Sequence, residues 1–570
     1  MPRIAITLLL FIYALLLQGC DDTSGQGAAV DTGQPKFEAI FDPSASKIPF
    51  PDDLLFTDTT DGTLNIPVAN PNDLGDPKVA MNTLDGFSTL APITTTFAVA
   101  ADPATLADGV HVFEVTTTLQ GAITSVVREL GATEYQVSLV GDTTLSIQPL
   151  FPLKSNTRYL VVLTSDIKST NGLPLVPSST FGLAKGSAPL VDGAGNSQFS
   201  LLTDTQAQSL EPLRQLTQSY LSAAEAQGIP AATVALAWTF KTQTLNKVLP
   251  AIRADSVNNP PASANFIYAG TGLGATTMSN FASTQGGALQ TAFNAGSFNK
   301  IASVVTGAVK LPYYLSNDGT GDLANGVLPG AVTDHFSMNT TTGLPTIKST
   351  ENVPFLLTIP NSTGPWPVVI FQHGFTVDKT AMFGIANSLA QAGFAAIAID
   401  SVLHGSRTFG LDLVTQDANG KITTNVPDGQ ADSSGQWYLN LQSLLTFRDN
   451  IRQSVADLIH LTRLLEVQSM DVVNNTTGAP GADNTPDLMV KTSANTNNPP
   501  ISFVGHSNGG ILGTLLAAVE PNIQTYVLAN PGGIYADIAS HSTEISPLVN
   551  AGLAAKGIQP GTADYNAFFV

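Results

Sequence analysis

The chain has 570 residues, of which 24 are Lys or Arg and 44 Asp or Glu, giving a formal net charge of −20; 43% are apolar and 12% charged. That length predicts more than one domain with large cores, and an acidic surface with no basic patch excludes nucleic acid as a primary ligand. One cysteine in the whole chain excludes an intrachain disulfide, a cysteine-based zinc finger and a cysteine-ligated cluster.

At the N-terminus, Met1-Pro2-Arg3 precedes the apolar run Ile4 to Leu17 and then Gln18-Gly19-Cys20. A basic start, a short apolar run and small residues read as a secretory signal over 1–19, too short to span a bilayer comfortably. Leu17 to Cys20 resembles the lipobox of bacterial lipoproteins. That resemblance implies lipid attachment at Cys20, membrane contact through the N-terminal anchor, and a place in the bacterial cell envelope; the outer membrane or cell surface is the expectation, and Asp21-Asp22, which resembles an inner-membrane retention signal, leaves the membrane and leaflet open. No other stretch approaches ~18 uninterrupted apolar residues, so no integral membrane domain is expected. Residues 20–36, rich in Gly, Ser, Asp and Thr, read as a flexible tether.

Residues 37–185 read as a β-rich, Ig-like domain. Short alternating runs near 94–99, 110–115, 134–140, 144–147 and 158–163 are separated by turn residues, the pattern of an antiparallel sandwich. Residues 186–305 read as a helical and irregular connection. Leu201, Leu202, Leu210, Leu213, Leu216, Tyr220 and Leu221 make a helical stripe, a second amphipathic run starts near Thr233, and 256–300 look irregular. Residues 306–570 alternate strands and helices, which predicts a parallel sheet covered on both faces. Expected strands lie over 353–359, 367–371, 395–399, 501–504 and 526–529. Expected helices lie over 380–392, 441–465 (long and amphipathic) and 510–519.

Gly505-His506-Ser507-Asn508-Gly509 is a G-x-S-x-G pattern directly after an apolar strand and directly before a helix. In that context it reads as a nucleophile elbow, whose glycines Gly505 and Gly509 permit the tight turn that lifts the Ser507 hydroxyl out. Phe371-Gln372-His373-Gly374-Phe375 closes an earlier strand. Its Phe375 N–H is expected to join that of Asn508 as an oxyanion hole. His373 is expected to shape that hole rather than act as base. No metal or organic cofactor is implied.

Together with Phe41-Asp42-Pro43-Ser44, Ile48 to Phe56, Asp400-Ser401, His404-Gly405, Arg448-Asp449-Asn450 and Arg452-Gln453, these motifs resemble the bacterial extracellular lipases of the Pla-1/cef type. Those carry a virulence factor lipase N-terminal domain before an α/β-hydrolase domain. The resemblance runs from about residue 37 to the end. It implies hydrolysis of acyl esters, of lipids or lysophospholipids, by a surface lipoprotein. The residue after the nucleophile is more commonly Leu in that family; here it is Asn508, whose oxyanion donor is backbone. Two rival readings are a carboxylesterase for short soluble esters and a non-catalytic surface-binding lipoprotein with a degenerate hydrolase domain.

A serine nucleophile in this fold is followed by its acid and then its histidine. Reaching the usual histidine position takes about 80 residues, more than lie between Ser507 and Val570. The expectation is a C-terminally incomplete hydrolase domain, with acid and base encoded beyond Val570. His541, with Asp537 beside it, stands only one strand past the nucleophile, and Asp564 reads as part of a helix start. Asp400 reads as a structural strand-end residue, Arg448, Asp449 and Arg452 as an ion-pair cluster, and His460 as packed. Residues 404–440 read as a cap or lid excursion, in which Trp437 and Tyr438, with Leu439, Leu441 and Leu444, line an acyl pocket or the core. The Asp- and Asn-rich stretch 471–498 reads as a mobile surface insertion, with a cation site as the alternative.

Overall fold

The computed structural model describes residues 36–268, 273–321, 327–339, 341–416, 422–424, 426–543, 545–555, 557–562 and 565. The signal, Cys20, nearly all of the tether, and Asp564 lie outside the described residues. Two compact units are present. One holds 36–69 and 81–245; the other holds 70–80 and everything from 246 on.

The first unit contains two antiparallel sheets. Strands β1 (Ile93–Thr96), β4 (Tyr135–Val140) and β5 (Thr144–Pro149) form one in the order β1-β5-β4. Strands β2 (Val110–Thr117), β3 (Ile123–Glu129), β6 (Arg158–Thr164) and β7 (Val234–Lys241) form the other in the order β3-β2-β6-β7. Helix Asp204–Ala226 starts in a Thr203 capping box, and its Tyr220, Leu221, Ala223 and Ala224 join the same core as Phe113, Tyr159 and Phe240. The run near Thr233, expected to be helical, is strand β7. Val234 to Phe240 are all buried, so the segment has no polar face, and periodicity cannot separate a strand from a helix there.

The second unit is built on a sheet of β8 (Phe266–Ile267), β9 (Gly274–Thr277), β10 (Ile301–Tyr313), β11 (Ser349–Pro360), β12 (Trp366–Gln372), β13 (Ala395–Ile399), β16 (Leu488–Met489), β17 (Ile501–His506) and β18 (Ile523–Ala529). Its main order is β18-β17-β12-β13-β11-β10-β8. The small hairpin β14 (Thr415–Gln416) and β15 (Ile422–Thr424) stands apart from it. Strands β18, β17, β12 and β13 run parallel, and β11 and β10 antiparallel to their neighbours. Both faces are covered, and β13 shows how. Ala395, Ile397 and Ile399 pack into one cluster with Leu458, Ile459 and Phe503, while Ala396 and Ala398 pack into another with Phe281, Met382 and Phe383. A strand buried on both sides reads as an unbroken apolar run, which is why Ala395–Ile399 was visible in the sequence. The strand order reverses between β12 and β17, with β13 on the far side of β12 and β18 on the far side of β17, and this is an α/β-hydrolase sheet.

Three expectations are corrected here. Residues 256–300 are not an irregular connection. Helix Val248–Asn258 ends there, and helices Met278–Gln285 and Gly287–Asn294 follow, with Met278, Phe281 and Ala282 buried; their small residues give an apolar stripe too narrow to stand out. The long helix is Leu444–Val467, and its polar face is turned inward as well as its apolar one, since every residue from Gln453 to Leu465 is buried. The 471–498 stretch lies at the surface, as expected, but its part from 471 to 489 is tied into the fold. Leu488-Met489 pairs with Trp366-Pro367, Asp487 has no exposure, and the Asp471 carboxylate accepts from the N–H groups of Asp483 and Asn484. Among the described residues no group of three potential metal ligands gathers, and no helix is long and apolar enough to cross a membrane.

Candidate active site

Strand β17 ends at His506, and the helix Asn508–Ala517 begins two residues later. Between them Ser507 has φ 54° and ψ −118°. Left-handed backbone in a non-glycine residue is a local strain that the surroundings must hold in place. They do: Ser507 N–H donates to Ala529 O at 2.8 Å, and Ser507 O accepts from Gly510 N–H and Ile511 N–H at 2.8 and 3.1 Å. Gly509 is required by space, since a Cβ there would overlap the Gln372 carbonyl and lie 2.8 Å from His373 O.

Strand register brings the second motif to the same edge. Phe371 pairs with Val504 and Gln372 with Gly505, so the 373–375 turn leaves β12 level with the elbow leaving β17. A Cβ on Gly374 would stand 3.0 Å from Ser507 Cβ and 3.5 Å from Ser507 Oγ. Neither the Phe375 N–H nor the Asn508 N–H donates to a protein acceptor among the described residues. Two unspent backbone donors therefore sit on the two segments that meet at the serine.

His373 is fully buried with both ring nitrogens occupied. Nε2 accepts the Ser401 N–H at 3.0 Å, and Nδ1 lies 2.8 Å from Gly374 O. Burial pushes its pKa down despite the Gly374 bond, so the neutral ring pins the 373–374 backbone. Behind it, His404 lies 5.2 Å from His373 ring to ring, 6.0 Å from Phe375 and 5.3 Å from Tyr438. Burial, and then His373, push His404 down to about 3. Gln372 Nε2 donates to Ser401 Oγ at 2.8 Å.

The remaining candidates separate into structural and distant groups. Asp400 is fully buried and accepts from Lys379 N–H and Nζ and from Ser406 N–H and Oγ at 2.7–3.0 Å. Burial raises its pKa, but the Lys379 ammonium and these bonds outweigh it and hold the carboxyl below the usual range. Asp449 binds Arg448 at 2.8 Å and Arg452 at 2.9 Å. His460 Nε2 is 3.2 Å from the Tyr314 hydroxyl in the core. Tyr438 has no exposure and belongs to the core. His541 ends the short helix Tyr535–His541 with its ring exposed and Nδ1 2.8 Å from Ser540 Oγ. Among the described residues no imidazole is hydrogen-bonded to Ser507 Oγ.

Two site neighbours gave no signal in the sequence. The Tyr535 hydroxyl donates to Asn508 Oδ1 at 2.8 Å, and Phe447 packs edge-on against the Tyr535 ring at 5.2 Å. Together they fix the side chain of Asn508, next to Ser507.

Residues 36–208 match the family described as bacterial virulence factor lipase N-terminal. The matched segment covers most of the first unit and ends within helix Asp204–Ala226. Solved structures similar to the chain include acetyl xylan esterase 1 from Thermoanaerobacterium sp. (17% identity, 38% of this chain and 56% of that one, TM-score 0.24). A thermostable carboxyl esterase from Bacillus coagulans matches at 17% identity over 37% and 48% of the two chains, TM-score 0.20. A dienelactone hydrolase from Anabaena variabilis matches at 19% over 31% and 56%, TM-score 0.18. The chain spans about half the length of these three structures. No curated protein matches.

Proposed function

We propose that the protein is a serine acyl-ester hydrolase acting on lipid or lysophospholipid esters, held at the bacterial envelope by a lipid on Cys20. The observation that carries this reading is the strained Ser507 elbow, set in contact with a turn that leaves the N–H groups of Phe375 and Asn508 unspent. In the reaction Ser507 Oγ attacks the ester carbonyl and those two N–H groups hold the developing oxyanion; the ester C–O bond then breaks, the alcohol leaves carrying the serine's proton, and water hydrolyses the acyl-serine to the free acid and the restored hydroxyl. Each such donor is worth about 3 kcal/mol at the transition state. His373, with both nitrogens engaged, positions the Phe375 donor and takes no proton.

A fluorophosphonate probe on the full-length protein tests the reading. Labelling at Ser507 that disappears in Ser507→Ala is the expected result; absence of labelling in the unaltered protein favours the non-catalytic surface-binding alternative. Rates across ester acyl lengths separate a lipase, faster on long chains, from a carboxylesterase for short soluble esters.

A further inference from the structure

In the first unit, two neighbouring loops present large apolar side chains to solvent. Leu90 is 45% exposed, Leu150 49% and Phe151 66%, with Pro152 exposed beside them. The loops are tied together: Leu153 N–H donates to Thr89 O at 2.9 Å, and the Gln148 amide donates to Leu90 O at 2.9 Å. The apolar tips are thus held at one place on rigid backbone.

Beneath them lies a closed charge network. Arg128 binds Glu134 at 2.7 Å and Glu114 at 3.2 Å, and Lys154 binds Glu114 at 2.8 Å. Two cations and two carboxylates make this rim neutral in a chain whose net charge is −20. A balanced group of charges beside the apolar tips suits a surface that carries no net charge of its own. A stable protein partner needs roughly 1,000 Å² of buried surface, more than four side chains of this size offer. A bilayer instead takes up aromatic and aliphatic side chains singly, with neutral or cationic groups at headgroup level.

We propose that the Leu90, Leu150, Phe151 and Pro152 tips are a membrane-docking site that inserts into the interface of a zwitterionic phospholipid bilayer. This rests on the lipid-hydrolase reading for its choice of ligand, but it is tested without turnover.

The test uses the full-length protein carrying Cys20→Ser, which removes the covalent anchor, and phosphatidylcholine vesicles in a co-sedimentation assay. The Cys20→Ser protein is expected to bind. Phe151→Ser should weaken binding about tenfold, Phe151→Trp should retain or tighten it, and Leu201→Ser, at a side chain 84% exposed elsewhere in the unit, should leave it unchanged. Circular dichroism and thermal melts of each variant establish folding, and Leu150→Ser replaces Phe151→Ser should the latter melt early. Absence of vesicle binding by the Cys20→Ser protein, equal binding by the serine variant at the tip, or an equal loss in Leu201→Ser overturns the proposal. Hydrolysis of a soluble p-nitrophenyl ester is measured in parallel: its failure in every variant, with vesicle binding intact, counts against the hydrolase reading and leaves the docking site standing.

Discussion

His404 sits with no exposure among His373, Phe375 and Tyr438, its Nδ1 bonded to Val402 O at 2.9 Å and its Nε2 buried without a partner. Burial holds the ring neutral down to about pH 3, against an ordinary value of 6.5. The unfolded chain therefore takes up this proton first as pH falls. His404's contribution to stability is whole above about pH 6.5 and is lost progressively toward pH 3, at roughly 1.4 kcal/mol per pH unit. Urea unfolding of wild type and His404→Gln at pH 7, 5.5 and 4.5 should show the wild type losing more stability on acidification than the variant. Gly435 supplies the space for this ring. Its φ is +75°, and a Cβ would overlap the imidazole. Gly435→Ala should cost roughly 1–2 kcal/mol for the backbone and about 1–3 kcal/mol for overpacking, read as a lower urea midpoint. Ser507 and its glycines were legible in the sequence because strand, turn and helix are contiguous there. Tyr535 was not, because it meets the site across the fold and leaves no local pattern, and His404 stood out only as part of the family motif, its place beside His373 being set by the fold.

The helix Leu444–Val467 is the element on which the second unit's polar order depends. Asp457, buried in its middle, accepts from Arg407 Nη1 at 2.6 Å and from Gln453 Nε2 at 2.8 Å. Arg407, itself 4% exposed, also donates to Asp400 O at 3.0 Å. The 404–440 excursion, expected as a cap, is in this part a buried strap keyed to the helix by that pair. Breaking a buried pair from one side leaves a charge without a partner, which costs about 3–5 kcal/mol. Arg407→Leu and Asp457→Leu should each destabilise on that order, and the double variant should lose clearly less than the sum, a coupling read from denaturant curves. The same burial explains which elements the sequence disclosed. Strands such as β13, apolar on both faces, stood out. The Gln453–Leu465 stretch carries Gln453, Asp457, His460 and Arg463, so it read as one-sided, although each polar group has its partner inside.

Over the whole molecule, the α/β-hydrolase sheet and the β-rich first unit were foreseeable from pattern and motif, whereas the division between units was not. Helix Asp204–Ala226 and β7 belong with the first unit because their apolar residues complete its core, a choice made by packing that no composition change marks. The segment 70–80 belongs with the second unit even though chain on both sides of it belongs with the first. Within its unit it is held in part by Leu444 N–H, which donates to Leu74 O at 3.1 Å. Limited proteolysis at the 245/246 boundary should yield two fragments that co-elute in size exclusion under native conditions and separate only in denaturant.

The chain passes between the two units three times, at 69/70, 80/81 and 245/246. The segment 70–80 is therefore a part of the second unit that lies far from the rest of it in sequence. A gene fusion or truncation that treats residue 246 as a clean start removes 70–80 from the second unit, and with it the Leu74 carbonyl that accepts from Leu444 N–H.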